Sequence, residues 1–331
     1  MQRHWQAQSR WRAPSQRQAR GPGRERRRTR LSLSLQRPEL VGLFILGTCV
    51  ACHGAPASQF PTGAAALDRM RATLACSRGI QGEAELDYFG EEGRVSGSVL
   101  YYASLPDRLR FDVISPFGVT VSTLTSDGRD FSLYDLSNKN FLYGPATSCN
   151  VARFTRVPVP PFALVQMLHG EAPLLVHQAD QAEVEWDGGL FSGQYVVRIA
   201  SKHGATEEID LVPVPDDFDK PWQEQRVRVL NVRVEKQGVP LYAASMRGHH
   251  TVATQRPLKD PDGLSAPLLP TGPACSAEVP QSLRIEVPPS GQDVVFRNRE
   301  QWHNPPLPPG VFAQPCPKGM SCRYSSCDDG S

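Results

Sequence analysis

Two cysteines and a histidine in the stretch GTCVACHG, Cys49, Cys52 and His53, have the residue types and spacing to do chemistry. Read as Cys-x-x-Cys-His, they could take a haem on two thioethers, with the adjacent imidazole as axial ligand. Read as the end of LVGLFILGTCVAC, the second thiol closes an apolar run and could itself carry acyl chains. The first chemistry would make an electron carrier, the second a membrane-tethered chain.

The surroundings favour acylation. Leu40 to Ala51 is uncharged and about a dozen residues long, the length of a signal-peptide core and too short for a bilayer of roughly 30 Å. Eleven arginines between Arg3 and Arg37 precede it and supply a positive flank. A haem domain would need a folded helix before Cys49, yet Cys49 sits inside the apolar run and Ala55 to Thr62 reads as a small-residue linker. Val50-Ala51-Cys52 resembles the lipobox of a bacterial lipoprotein, with cleavage before Cys52 and a diacylglycerol and an N-acyl chain on that residue. Cleavage at Cys49 is the alternative, with Thr48 in place of the expected small residue. No aspartate follows Cys52, so the sorting pattern it resembles implies the outer membrane. No other cofactor is expected.

The basic leader, residues 1–37, has no apolar periodicity and reads as an upstream start or a long n-region, with the working start nearer Leu31 or Leu35. Arg27-Arg28-Thr29-Arg30-Leu31 weakly resembles a twin-arginine export signal. Residues 38–51 are then the signal core and 52–61 the tether. Of 36 basic residues, 25 follow Cys52; of 34 acids, 32 do, so the mature chain carries about −7 despite a formal total of +2. With no aromatic stacking pattern beside the arginines, no nucleic-acid partner is expected.

Six cysteines follow Cys52: Cys76, Cys149, Cys275, Cys316, Cys322 and Cys327. An even number in an exported chain points to disulfides, with fifteen pairings open. Zinc is the rival for the tail, where three of them lie near His303, although no Cys-x-x-Cys pair is present. No metal site is expected. His249 and His250 would point to opposite faces of a strand, and Asp216, Asp217 and Asp219 form either a solvated turn or a calcium-like acidic loop. Nucleophile-elbow, zincin and phosphate-loop signatures are missing, so the reading is not an enzyme.

The elements that would position any site are mostly strands. TGAAALDRMRATL, from Thr62, has a cap followed by Ala66, Leu67, Met70 and Leu74 on one helix face. The period then becomes two, in Glu83 to Tyr88 and more clearly in Arg108 to Val113. Turn signals at Leu105-Pro106-Asp107, Ser115 to Gly118, Ser126 to Gly128 and Ser137-Asn138 divide a meander. Pro158 to Pro161 breaks it, and Phe162 to Gly170 reads as a two-turn helix closed by glycine. Strands resume over residues 183–186, 194–200, 207–211, 226–235, 242–246, 282–287 and 293–296, with a Pro/Gly loop over 259–274. The expected fold is mainly β (α+β): one curved antiparallel sheet, an unclosed half-barrel covered by a few helices over 62–312, then a cysteine-rich tail over 313–331.

Two segments, Arg108 to Val121 and Arg156 to Gly170, resemble the lipoprotein-localisation proteins LolA and LolB: a strand, an apolar hairpin tip and the next strand, then a Pro-x-Pro stretch with a short helix. The resemblance implies an apolar cavity that binds acyl chains of lipoproteins or lipids, lined by Leu109, Phe111, Val113, Val121, Phe131 and Leu133 from the strands. Phe162, Leu164, Val165 and Leu168 would add the helix. It also implies a membrane-engaging loop at Pro116, Phe117 and Gly118, delivery by a periplasmic carrier protein, and a monomer anchored at the outer membrane facing the periplasm. The extra sequence at 216–222, 259–274 and the tail departs from that pattern. The alternative is an envelope scaffold or sensor using the same fold to bind protein; the third reading is the c-type cytochrome.

Overall fold

The structure, a computed structural model, describes residues 54–327 apart from 91–92, 157 and 189–192. Cys49, Cys52 and His53, and with them the choice between haem and lipid, lie outside the described residues.

Helix α1 (Gly63–Leu74) opens on the expected cap, the Thr62 hydroxyl accepting the Ala65 N–H at 3.1 Å, and buries Ala66, Leu67, Met70 and Leu74. A first meander follows: β1 (Gly79–Gly90), β2 (Gly93–Ser104), β3 (Arg108–Ile114), β4 (Thr120–Ser126), β5 (Asp130–Asp135) and β6 (Asn140–Pro145). Two helices come next, α2 (Ser148–Thr155) and α3 (Pro161–His169). Proline at the first position and Gly170 in the left-handed region at φ 88° bound α3 as expected. α2 was not legible as a helix; the Thr147 hydroxyl caps it by accepting the Asn150 N–H.

The second meander is β7 (Ala182–Asp187), β8 (Gln194–Ala200), β9 (Ala205–Pro213), β10 (Val227–Lys236) and β11 (Val239–Arg247). A small ladder pairs β12 (His250–Thr251) with β13 (Glu278–Val279). The hairpin of β14 (Ser282–Val287) and β15 (Gln292–His303) then slots between β1 and β11, joining both meanders into one sheet. Its order is β16-β6-β5-β4-β3-β2-β1-β15-β14-β11-β10-β9-β8-β7, where β16 (Ser321–Tyr324) comes from the cysteine tail. β16 lies parallel to β6 and all other pairs are antiparallel. The edge strands β16 and β7 do not pair, so the curved sheet stays open.

The inner face is apolar in register. Tyr101, Phe111, Leu124, Leu133 and Leu142 lie side by side across β2 to β6. Helix α3 covers β1 to β3, α1 covers β7, β8 and β10, and α2 covers β5. The Phe111 ring stacks on Phe154 of α2 with centroids 5.3 Å apart and tilts against Phe296 of β15 at 5.9 Å. The outer face is wet and charge-paired: Arg198 spans Glu185 and Glu208, and Arg299 spans Glu83 and Glu85.

Three disulfides fix the connectivity left open by the sequence: Cys76–Cys275, Cys149–Cys327 and Cys316–Cys322. They occupy the thiols that a tail zinc site would need, which corrects that rival reading. The acidic loop is likewise no open cation site. Asp217 is fully buried, and its carboxyl is held well below the usual carboxylate range by hydrogen bonds from Arg226 and then Lys220, at 2.6 Å each. It latches β10 to the turn before it.

Candidate functional site

Three places in the fold bear on function. The first is the β3–β4 tip. Pro116 and Phe117 form the turn and Gly118, at φ 77°, reverses the chain in the left-handed region that favours glycine. The tip is rigidly bonded: Gly118 N–H donates to Ser115 O at 2.9 Å, Ser115 N–H to Val119 O at 2.8 Å, and Val119 N–H to Ser115 Oγ at 3.1 Å. Phe117 is 89% exposed, with Val119 exposed beside it. Leu136, also exposed, sits at the β5–β6 turn on the same end of the sheet, its N–H bonded to Val121 O. Turns favour polar residues, so an apolar cluster held out to solvent at one end is the kind of surface that meets a membrane or a partner.

The second is the inner face where a cavity was expected. Leu109, Phe111 and Phe131, with Leu164, Val165 and Leu168 of α3, are buried in one hydrophobic cluster, and Val113 and Leu133 pack against it. Two residues fall elsewhere. Val113 pairs with Ser122 and Ile114 with Thr120, so Val121 is skipped at a bulge, while Leu124, paired with Phe111, takes the inner place. Phe162 stands on the outer side of α3 and is 43% exposed. The remaining eight belong to, or pack against, one hydrophobic cluster beneath the helices.

Buried polar groups punctuate this interior. Glu207 on β9 is 2% exposed, and desolvation pushes its carboxyl up to about 8, against the bond it accepts from Leu175 N–H at 2.8 Å. Ser77 Oγ lies 2.9 Å from Nδ1 of both His169 and His303, while their Nε2 atoms face Ala103 O at 3.3 Å and Ala277 O at 2.9 Å. Burial pulls His169 down to about 4 and also lowers His303. This hub ties the ends of α1, α3 and β15 beside the Cys76–Cys275 bridge.

The third is a cleft of about 860 Å³ at the opposite end of β3 from Phe117, between the end of α1, the β2–β3 turn and residues 307–313. Arg71, Arg78 and Arg108 line it together with Leu74, Leu105 and Phe312. Sequence reasoning missed it, because its walls come from segments some 240 residues apart.

No protein-family model matches the sequence, and no curated protein does. Solved structures with similar shape include a DUF1329 family protein from Desulfovibrio piger, at 12% identity, covering 76% of this chain and 95% of that one with a TM-score of 0.48. A LolA superfamily protein from Nitrosomonas europaea has 10% identity, coverage of 76% and 98%, and a TM-score of 0.45. An outer membrane lipoprotein-sorting protein domain from Vibrio parahaemolyticus has 11% identity, coverage of 74% and 95%, and a TM-score of 0.44.

Proposed function

We propose that the chain is a lipoprotein of the cell envelope, acylated on Cys52 and held at the outer membrane, that receives acyl chains of lipoproteins or lipids and passes them to the bilayer. The observation that carries this reading is Phe117, presented to solvent on a hydrogen-bonded tip at one end of the sheet. An acyl chain gains about 0.8 kcal/mol for every methylene removed from water, so an apolar inner face can hold cargo without a catalytic group. Because α3 packs on β1 to β3 over that buried cluster, cargo enters by displacing the helix from those strands.

A second reading is favoured by that same packing. With the inner face occupied by its own side chains, the fold can serve as an envelope scaffold or sensor whose apolar tips bind protein. Protein purified from native membranes separates the two. An N-terminal peptide beginning at acylated Cys52, with extractable acyl lipid bound to the chain, supports the first reading. A lipid-free chain with a stoichiometric protein partner supports the second, and a haem-linked Cys49/Cys52 peptide refutes both.

A further inference from the structure

The cleft at the far end of β3 has the walls of a ligand site. Its floor is apolar, with Leu74 and Phe312 buried, and its volume is within the range of small-molecule pockets. The wall formed by residues 307–313 is fixed in place: Arg110 Nη1 donates to Val311 O at 3.3 Å, and Gln314 Nε2 donates to Thr123 O at 3.1 Å. The other wall is stapled by Cys76–Cys275, since Ala75 and Ser77 on one side and Thr271 on the other border that bridge.

Arg71 pairs with Asp68 at 3.6 Å, and the other two arginines of the cleft pair with no acid among the described residues. On the outer sheet face Arg198, Arg233 and Arg284 each span two carboxylates. Arg78 makes no ion pair or side-chain hydrogen bond among the described residues, and Arg108 bonds only the neutral Ser104 hydroxyl at 3.2 Å while its guanidinium lies 5.4 Å over the Phe312 ring. The two acids in the lining do not answer them. Asp127 Oδ1 accepts the N–H groups of Asp130 and Arg129 in its own turn at 2.8 and 2.9 Å. Glu171 is shifted by desolvation toward its neutral form, with Arg71 opposing. Planar guanidinium forks beside an apolar wall suit a carboxylate or phosphate joined to a hydrocarbon body.

We propose that this cleft binds an anionic amphiphile, its carboxylate or phosphate head taken by Arg78 and Arg108 and its apolar body lying on Leu74, Leu105, Val311 and Phe312. The site is separate from the Phe117 tip and does not depend on the transfer function proposed above.

The test is calorimetric titration of the full chain with dodecanoate and with dodecyl phosphate, both below micelle formation, against dodecanol and inorganic phosphate. Binding of one or both anionic amphiphiles at least tenfold tighter than dodecanol, with inorganic phosphate unbound at the same concentration, is expected. A preference for dodecanoate assigns the head as a carboxylate, and a preference for dodecyl phosphate assigns a phosphate monoester. Arg78→Gln and Arg108→Gln, both exposed and without structural partners to lose beyond Ser104 and the Phe312 ring, should each weaken binding roughly tenfold. Val311→Trp, which fills the cleft, should block it, and Phe117→Glu should leave it unchanged. Equal binding of dodecanol, equal binding of inorganic phosphate, or full affinity in the Arg78→Gln/Arg108→Gln double variant would overturn the proposal.

Discussion

The Glu207 carboxylate accepts the main-chain N–H of Leu175 at 2.8 Å from within the inner face of the sheet, so an acid 2% exposed anchors the segment that follows α3. Its pKa is raised by burial to about 8, so the folded chain holds a proton that the unfolded chain releases near the ordinary carboxyl value. The stability this contributes is complete at low pH and is lost as pH rises toward 8. Urea unfolding should therefore show native stability declining from pH 7 to pH 8.5, and Glu207→Gln, which keeps the acceptor, should remove that decline. At pH 8 the variant should be the more stable by on the order of 2 kcal/mol.

The histidines act in the opposite sense. His169 and His249 are pulled down to about 4 by burial and His303 is lowered too, so all three are neutral in the fold and take protons on unfolding. Their stability is complete above the ordinary imidazole value of about 6.5 and is lost as pH falls toward 4. Together with Glu207 this places the stability maximum between about pH 6 and 7, which the same pH series checks.

Both imidazoles bonded to Ser77 present Nδ1 to one hydroxyl. Removing it in Ser77→Ala leaves two buried ring nitrogens without that partner and should cost about 1–3 kcal/mol. The loss should be visible as a lowered urea midpoint with an unchanged slope.

The Cys76–Cys275 bridge spans 199 residues and staples the hub to the loop after β12. Chain-entropy arguments put such a bridge at about 2–5 kcal/mol. Cys76→Ala/Cys275→Ala should lower the melting temperature more than Cys316→Ala/Cys322→Ala, whose loop spans six residues.

Much of this architecture was legible in the sequence, for local reasons. Thr62 followed by Ala66, Leu67, Met70 and Leu74 is a capped apolar stripe, and Pro161 with Gly170 brackets α3 at both ends. The alternation of Leu109, Phe111 and Val113 marks the inner face of β3. What escaped was set by distance or by phase. Helix α2 is only eight residues long and is held by Cys149–Cys327 and by Phe154 against Phe111, none of it local. Val121 was assigned inward, whereas Leu124 sets the inner phase of β4 and Val121 is the residue that a bulge leaves without a partner on β3. The parallel strand β16 and the arginine-lined cleft depend on the chain returning to its beginning, which no window of sequence contains.

The central claim, that the Phe117 tip delivers acyl chains to a bilayer, is tested most directly by timing transfer of a fluorescent acylated lipoprotein from the full chain to outer-membrane-like vesicles, for the native protein and for Phe117→Glu. The account predicts that Phe117→Glu folds with native stability, since the side chain is 89% exposed, and still loads cargo, but transfers it at least tenfold more slowly. Transfer at the native rate by a folded Phe117→Glu protein would contradict it.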